Sequence, residues 1–236
     1  MITETIKKRR SVRKFSNKKI SNKLVKDCIL NATLAPNSSN LQLWEFFHIT
    51  DSNVLHNLRK ACLSQNAAKT AKQMVVIVTR KDLWRSRSKS NIKFLFKEFK
   101  NGYISKKSHE KAKTYYNKIV PLLYSEFFGL LSLFGFFLAQ LIGLFRPIYR
   151  QVTFIDKRII AHKSAALAAQ NFMLSMSYFG YDTCPMEGSD TLRVKKILKL
   201  SSESEINMII ACGIESHDGV YSKRFRVPFE NVYNYI

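Results

Sequence analysis

Apolar residues at Leu24, Val25, Cys28, Ile29 and Ala32 recur with helical spacing after Ser21, and the run stops at Pro36. That pattern predicts a helix capped by Ser21 and feeding a loop. Trp44 to Thr50, rich in aromatic residues, predicts a strand; Val54 to Cys62 returns to helical spacing; Met74 to Val78 reads as a short buried strand. Further on, Ala161 to Phe179 is apolar around most of its circumference, as expected of a helix enclosed by a core or a subunit interface, and Gly180 suits its stop. Asp190 to Leu198 predicts a short helix and Asn207 to Cys212 an apolar strand. No internal repeat interrupts this series. The coarse expectation is a mixed α/β (α+β) domain with a large insertion between the strand at Val75–Val78 and the long helix.

The insertion has two halves of opposite character. From Asp82 to Lys118 it is basic, with Lys89, Lys93, Lys97, Lys100, Lys106, Lys107, Lys111 and Lys113 among its charges. Then Phe127 to Phe145, FFGLLSLFGFFLAQLIGLF, carries no charge and is long enough to be a transmembrane candidate. Gly129, Gly135 and Gly143, with Pro147, favour broken or short helices there.

Composition narrows the class. With 236 residues and 46% apolar content the chain can bury one sizeable core. Its 39 Lys and Arg against 17 Asp and Glu give a formal +22, which concentrates anions around it: a phosphorylated cofactor, an acidic lipid surface or nucleic acid. Cys28, Cys62, Cys184 and Cys212 are far apart and form no CxxC pair, so neither a metal site nor a disulfide framework is suggested. Lys7-Lys8-Arg9-Arg10 is followed by no apolar stretch, which argues against a secretory signal and for the cytoplasm.

Four clusters carry candidate chemistry. Arg9-Arg10-Ser11-Val12-Arg13 suits a phosphate, because planar guanidinium forks donate paired charge-assisted hydrogen bonds; it also reads as a solvated face. Leu34 to Trp44, LAPNSSNLQLW, can meet the polar edges of a flavin or nucleotide, or be an ordinary turn. Cys184-Pro185-Met186-Glu187-Gly188 and Lys223-Arg224-Phe225-Arg226-Val227-Pro228 complete the set. Each alone is readable as surface.

Taken in order and at this spacing, basic-basic-Ser-x-basic, Ala-Pro-x-Ser-x-Asn-x-Gln-x-Trp, Pro-x-Glu-Gly and basic-x-Arg-x-Pro, the chain resembles the nitroreductase family over roughly residues 2–80 and 158–236. The resemblance implies a central, mostly antiparallel sheet flanked by helices and a single domain over residues 1–236, interrupted by the insertion at 82–157. It also implies a homodimer binding flavin mononucleotide (FMN) at its interface. Arg9, Arg10 and Ser11 then contact the flavin phosphate and ribitol, joined by Arg224 and Arg226, while Arg13 lies near the pyrimidine end of the ring. A cation there stabilises the negative charge that hydride arrival puts on the N1–C2=O edge. Pro36, Asn37, Ser38 and Asn40 correspond to a loop reaching the flavin from the neighbouring subunit, and Glu187 and Gly188 to backbone lying against the ring near N5. Gln65 is assigned to the pyrimidine edge without a motif of its own. The implied reaction is ping-pong, with NAD(P)H as hydride donor and a nitroaromatic, quinone or similar small acceptor taking the reducing equivalents. No protein nucleophile or metal is then required, and His48, His56, His109, His162 and His217 read as structural or surface residues. Leu43 stands where the family commonly has proline, and the insertion occupies the region that usually covers the substrate side of the flavin.

The same residues constrain the apolar run. Arg9–Arg13 and Pro36–Asn40 precede it while Glu187, Arg224 and Arg226 follow it, so a single crossing separates them across the bilayer and no one flavin site can form. Two readings stay open: residues 119–147 lie on an anionic membrane surface, making the enzyme peripheral, or they pack on the dimer and roof the site. Two other function classes compete. A nucleic-acid-binding protein, prompted by the charge and by Phe94, Phe96, Phe99 and Tyr103 among the lysines, explains the +22 and not the ordered clusters. A flavin-binding relative with a different redox reaction shares the site and differs only in turnover.

Overall fold

A computed structural model describes residues 2–125 and 130–236. In chain order its elements are α1 (Ile2–Lys8), α2 (Asn22–Ala32), β1 (Trp44–Ile49), α3 (Ser52–Ala61), α4 (Asn66–Thr70), β2 (Gln73–Thr79), α5 (Trp84–Lys100), α6 (Lys106–Thr114), α7 (Val120–Tyr124), α8 (Leu130–Ile142), α9 (Phe154–Tyr178), β3 (Asp182–Met186), α10 (Thr191–Ile197) and β4 (Glu205–Gly213). The strands form one sheet in the order β1-β2-β4-β3, antiparallel at every pairing.

Helices cover both faces of this sheet. Met74, Val76 and Val78 of β2 pack with Leu55 and Leu58 of α3 and Val194 of α10, whereas Val75 and Ile77 pack with Val25 and Cys28 of α2 and Ala165 and Phe172 of α9. A central strand buried on both faces must be apolar at every position, which is why Met74–Val78 reads as a run and not an alternation. The insertion meets this body through a smaller cluster, in which Leu41 and Leu43 of the segment before β1 pack on Val120 and Tyr124 of α7.

Two features differ from the expectation. The long helix starts at Phe154, not Ala161, because Thr153 and Asp156 form a reciprocal cap: Asp156 N donates to Thr153 Oγ1 (3.1 Å) and Thr153 N to Asp156 Oδ2 (3.0 Å). It ends as expected, at Gly180 with φ +80°. In the apolar run, α8 passes through Gly135 unbroken, since one helical glycine costs only about 1 kcal/mol and its Leu and Phe neighbours are tolerant helix residues. Its 13 residues rise about 20 Å, against about 30 Å for a hydrocarbon core. No described helix is long and apolar enough to cross a membrane; residues 127–129 of the apolar run, Gly129 included, lie outside the described residues.

Glu205, opening β4, ties the sheet to α9 by accepting from Arg158 Nε and from His162 Nε2 (3.1 Å). Burial raises the pKa of this carboxyl, but the two partners outweigh burial and hold it below the usual carboxylate range. A depressed folded pKa contributes stability above the unfolded value and loses it as pH falls through the folded one. Glu205→Gln is therefore expected to cost about 1 kcal/mol at neutral pH, after allowance for solvent screening. The gap to the parent should close below about pH 4. Urea midpoints measured across that range check this, and a gap independent of pH refutes it.

Candidate functional site

The polypeptide leaves α1 at Arg9, whose amide donates to Thr5 O (3.0 Å), and then runs beside the sheet. Ser11 bridges Thr183 of β3, Val12 N donates to Thr183 O (3.0 Å), and Phe15 bridges Glu215. Val12 and Phe15 are buried anchors, so the alternation of an extended chain turns Ser11 and Arg13 outward. Arg13 N donates to Gly219 O (2.7 Å), and a Cβ at Gly219 would stand 2.6 Å from the Lys14 carbonyl oxygen, so only glycine lets the two segments close.

The C-terminal segment returns over the same place. Arg10 Nη2 donates to Ser222 O (2.7 Å) and Arg224 Nη2 to Arg9 O. Arg9 is half-buried, and its pKa is lowered first by that burial and then by Arg224, Arg226 and Arg10, which therefore crowd around it. Among the described residues none of these guanidinium groups is paired with a carboxylate. Cys184 lies beneath them as a buried thiol, its pKa raised by burial although Arg13 and Arg9 oppose the shift.

Gln65 belongs to the same region. After α3 the chain turns through Leu63 and Ser64, both at positive φ (57° and 52°), and Gln65 Nε2 then donates to Gly188 O (2.7 Å). Asn66 Nδ2 donates to Tyr221 Oη (3.0 Å), next to the Ser222 carbonyl that holds Arg10. Gly188 and Glu187 are exposed beyond β3. Arg9, Arg10, Ser11, Arg13, Gln65, Gly188, Arg224 and Arg226 are thus brought to one side of the β3 edge.

The loop holding Pro36, Asn37, Ser38 and Asn40 is elsewhere. It precedes Trp44, which pairs with Thr79 at one end of β2, whereas Thr183 beside the arginines pairs with Cys212, which pairs with Gln73 at the other end. β1 and β3 are also opposite edges of the sheet. Six residue steps along a strand and three strand spacings across put the two clusters at diagonal corners, about 25 Å apart. One copy of the chain does not unite them.

Within its corner the loop is tightly specified. Ser39, Asn40 and Gln42 take positive φ (55°, 49° and 48°), and Asn37 Oδ1 accepts from Gln42 N (2.8 Å). The insertion supplies braces that motif reading missed. Asn91 Nδ2 donates to Asn40 O (2.8 Å) and accepts at Oδ1 from Asn40 Nδ2 (3.0 Å). Tyr116 Oη donates to Ser39 O (2.9 Å), and Tyr115 Oη is 2.6 Å from Ser39 Oγ. No motif marks Asn91, Tyr115 or Tyr116 for this role, because they meet the loop only once the insertion has folded onto it. Pro36, Ser38 and Asn40 remain exposed. A cavity of about 340 Å³ opens beside the loop, lined by Ser38, Ser39, Tyr115, Tyr124, Tyr149 and Lys157 among others. Burial raises the Tyr124 and Tyr149 phenols.

Against known proteins, the model of the nitroreductase family matches residues 6–214. The NAD(P)H nitroreductase MhqN of Bacillus subtilis (strain 168) is 38% identical over 80 residues, which are 34% of this chain and 39% of MhqN, so the match spans well under two thirds of that protein. Among solved structures, the Bacillus subtilis nitroreductase ydfN superposes with TM-score 0.76 at 21% identity, covering 99% of this chain and 98% of its own. A nitroreductase from Exiguobacterium sibiricum 255-15 in complex with FMN superposes with TM-score 0.70 at 18% identity, covering 100% and 97%. At these identities the structural likeness establishes the fold.

Proposed function

Because the chain belongs to the nitroreductase family, we propose that it is a homodimeric, FMN-dependent oxidoreductase that draws on NAD(P)H to reduce a small acceptor such as a nitroaromatic or quinone. The observation that carries this reading is the group of arginines around Arg9, crowded together with no carboxylate to neutralise them among the described residues. Like charges gathered on a half-buried guanidinium are costly, and a dianionic phosphate removes the cost while accepting their hydrogen bonds. The residues present therefore fit the phosphate end of FMN, and the Exiguobacterium protein of the same fold crystallised in complex with FMN.

Arg9 and Arg10 hold the phosphate, assisted by Arg224 and Arg226; Ser11 lies outward beside them. Gln65 and the Gly188 backbone, joined by their hydrogen bond, form the wall further along. When bound, FMN would supply the hydride chemistry between NAD(P)H and the acceptor. Arg13 is the cation available to offset negative charge developing on a ring placed along this wall.

A second copy completes the site. The loop 36–40 sits at the diagonal corner of its own subunit, so it contributes only across an interface. An apolar groove of about 460 Å³ between α1, α2 and α9, lined by Ile2, Asn31, Leu174, Tyr178 and Phe179 among others, is the face that a partner would cover. Leu30 of α2, Leu34 just beyond it and Leu167 of α9 are exposed as well.

The decisive experiment is to purify the protein, identify its chromophore after acid release, and mix the anaerobic holoprotein with NADH or NADPH followed by menadione or nitrofurazone. Bleaching of the flavin bands by the nucleotide and their recovery on addition of acceptor are expected. A colourless protein that takes up no added FMN overturns the reading.

A further inference from the structure

The insertion contains a helix built inside out. On α8 the small and polar positions face the body: Ala139 is buried, Gln140 accepts from Arg150 Nη1, and a Cβ at Gly135 would meet Val152 Cγ2 at 4.0 Å. Among the described residues, Phe136 and Ile142 are partly buried, and the other large apolar side chains of the helix point the other way. Leu133, Phe134, Phe137, Leu138 and Leu141 are 44–70% exposed, and the stripe continues past the helix end through Leu144 and Phe145 at 75% and 84%. A helix covering a soluble core carries its apolar stripe inward, so this orientation needs a partner that is itself apolar.

The charge around the stripe indicates which partner. Between Asp82 and Lys157 stand 14 Lys and Arg against 5 Asp and Glu. Arg146 is exposed directly beyond α8, and Lys113 and Lys118 are exposed earlier in the same insertion, so the apolar stripe belongs to a basic insertion. A second copy of the chain meeting this face across a twofold axis would bring one basic insertion against another, which is unfavourable. An anionic lipid surface satisfies both features at once, taking the apolar side chains among its acyl chains and the cations among its headgroups. With a rise of about 20 Å, α8 lies along such a surface and does not cross it.

We propose that the exposed apolar stripe running from Leu133 on α8 to Phe145 just beyond it, set in its basic insertion, docks the protein on the surface of an anionic phospholipid bilayer. This placement is independent of the flavin reading. The test uses the full-length protein with sucrose-loaded vesicles of phosphatidylcholine and phosphatidylglycerol in equal parts, or of phosphatidylcholine alone. Sedimentation with the mixed vesicles is expected, reduced about tenfold or more by high salt or by omission of phosphatidylglycerol. The triple variant Phe134→Ser, Phe137→Ser, Leu141→Ser should lose about tenfold or more of the partitioning, with its thermal midpoint and mass in solution unchanged, since these side chains are exposed. In a Phe137→Trp variant the indole emission should shift to the blue on the mixed vesicles only. A parent that stays in the supernatant, equal binding to both vesicle types, or undiminished binding by the triple variant each overturns the proposal. So does a change of the triple variant's mass in solution, which assigns the face to another copy of the chain.

Discussion

Replacing Arg9 by Met is expected to move two measurements in opposite directions: FMN binding weakens roughly ten- to a hundredfold, while the cofactor-free protein unfolds about 1–2 °C higher. The loss follows from removing one charge-assisted contact to phosphate, worth about 1.5–3 kcal/mol, or roughly a factor of ten for each 1.4 kcal/mol. The gain follows from geometry. Without the cofactor Arg9 is half-buried against Arg224, Arg226 and Arg10, and the depression of its pKa is the sign that its charge is unwelcome there. Met keeps most of the apolar stem and discards the charge. Arg224 and Arg226 are exposed in the single chain, so each should contribute less than Arg9. Titrating apoprotein with FMN and, separately, with riboflavin makes the assignment specific, because riboflavin lacks the phosphate and its affinity should not change. An equal loss for both ligands removes Arg9 from the phosphate site. A lower melting point with FMN affinity intact makes it a structural residue.

That result bears on how the first cluster was legible. A basic run near a terminus has a solvated face as its ordinary explanation, and nothing in Arg9-Arg10-Ser11-Val12-Arg13 excludes it. The distinction comes from Val12 and Phe15, whose burial pins the segment to the sheet edge, and from the tail that returns about 200 residues later to set Arg224 beside Arg9. Periodicity carried the sheet and its covering helices well, because β2, β4, α2 and α3 each bury a regular stripe or a continuous run, while β1 was marked by its aromatic residues. It failed where no stripe exists. α1 buries none of its residues, α4 is five residues long, and β3 reads as a chemical motif before it reads as a strand. The early start of α9 was available locally, in Thr153 and Asp156, but a capping pair is visible only to a search that looks for it. The roles of Asn91, Tyr115 and Tyr116 were out of reach, since they brace a loop more than 50 residues earlier through contacts that only the folded insertion creates.

The largest expected effect comes from mixing two defective subunits. A chain carrying Arg9→Ala and Arg224→Ala lacks the phosphate contacts, and a chain carrying Asn40→Val lacks a correctly shaped loop. Valine is β-branched and poorly tolerated at the positive φ of Asn40 (49°), and it forfeits the pairing with Asn91. Each variant alone should be nearly colourless. Within one chain the two regions stand at diagonal corners of the sheet, so on the proposed reading a complete site would take arginines from one subunit and the loop from the other. When the variants are unfolded together and refolded at equal concentration, half of the dimers combine the two kinds of chain. Each such dimer has one site with both defects and one with neither, so about one quarter of all sites should recover FMN and NAD(P)H-dependent reduction. Absorbance of retained flavin after desalting measures the fraction directly. Refolding the variants separately before brief mixing is the control, and it should stay colourless for as long as subunits do not exchange. If the regions instead served a site within one chain, no pairing of these variants could restore it. Failure to recover colour, with mixed dimers demonstrated by differential tagging, therefore rules out the shared site. Recovery near one quarter leaves no single-chain arrangement that accounts for it.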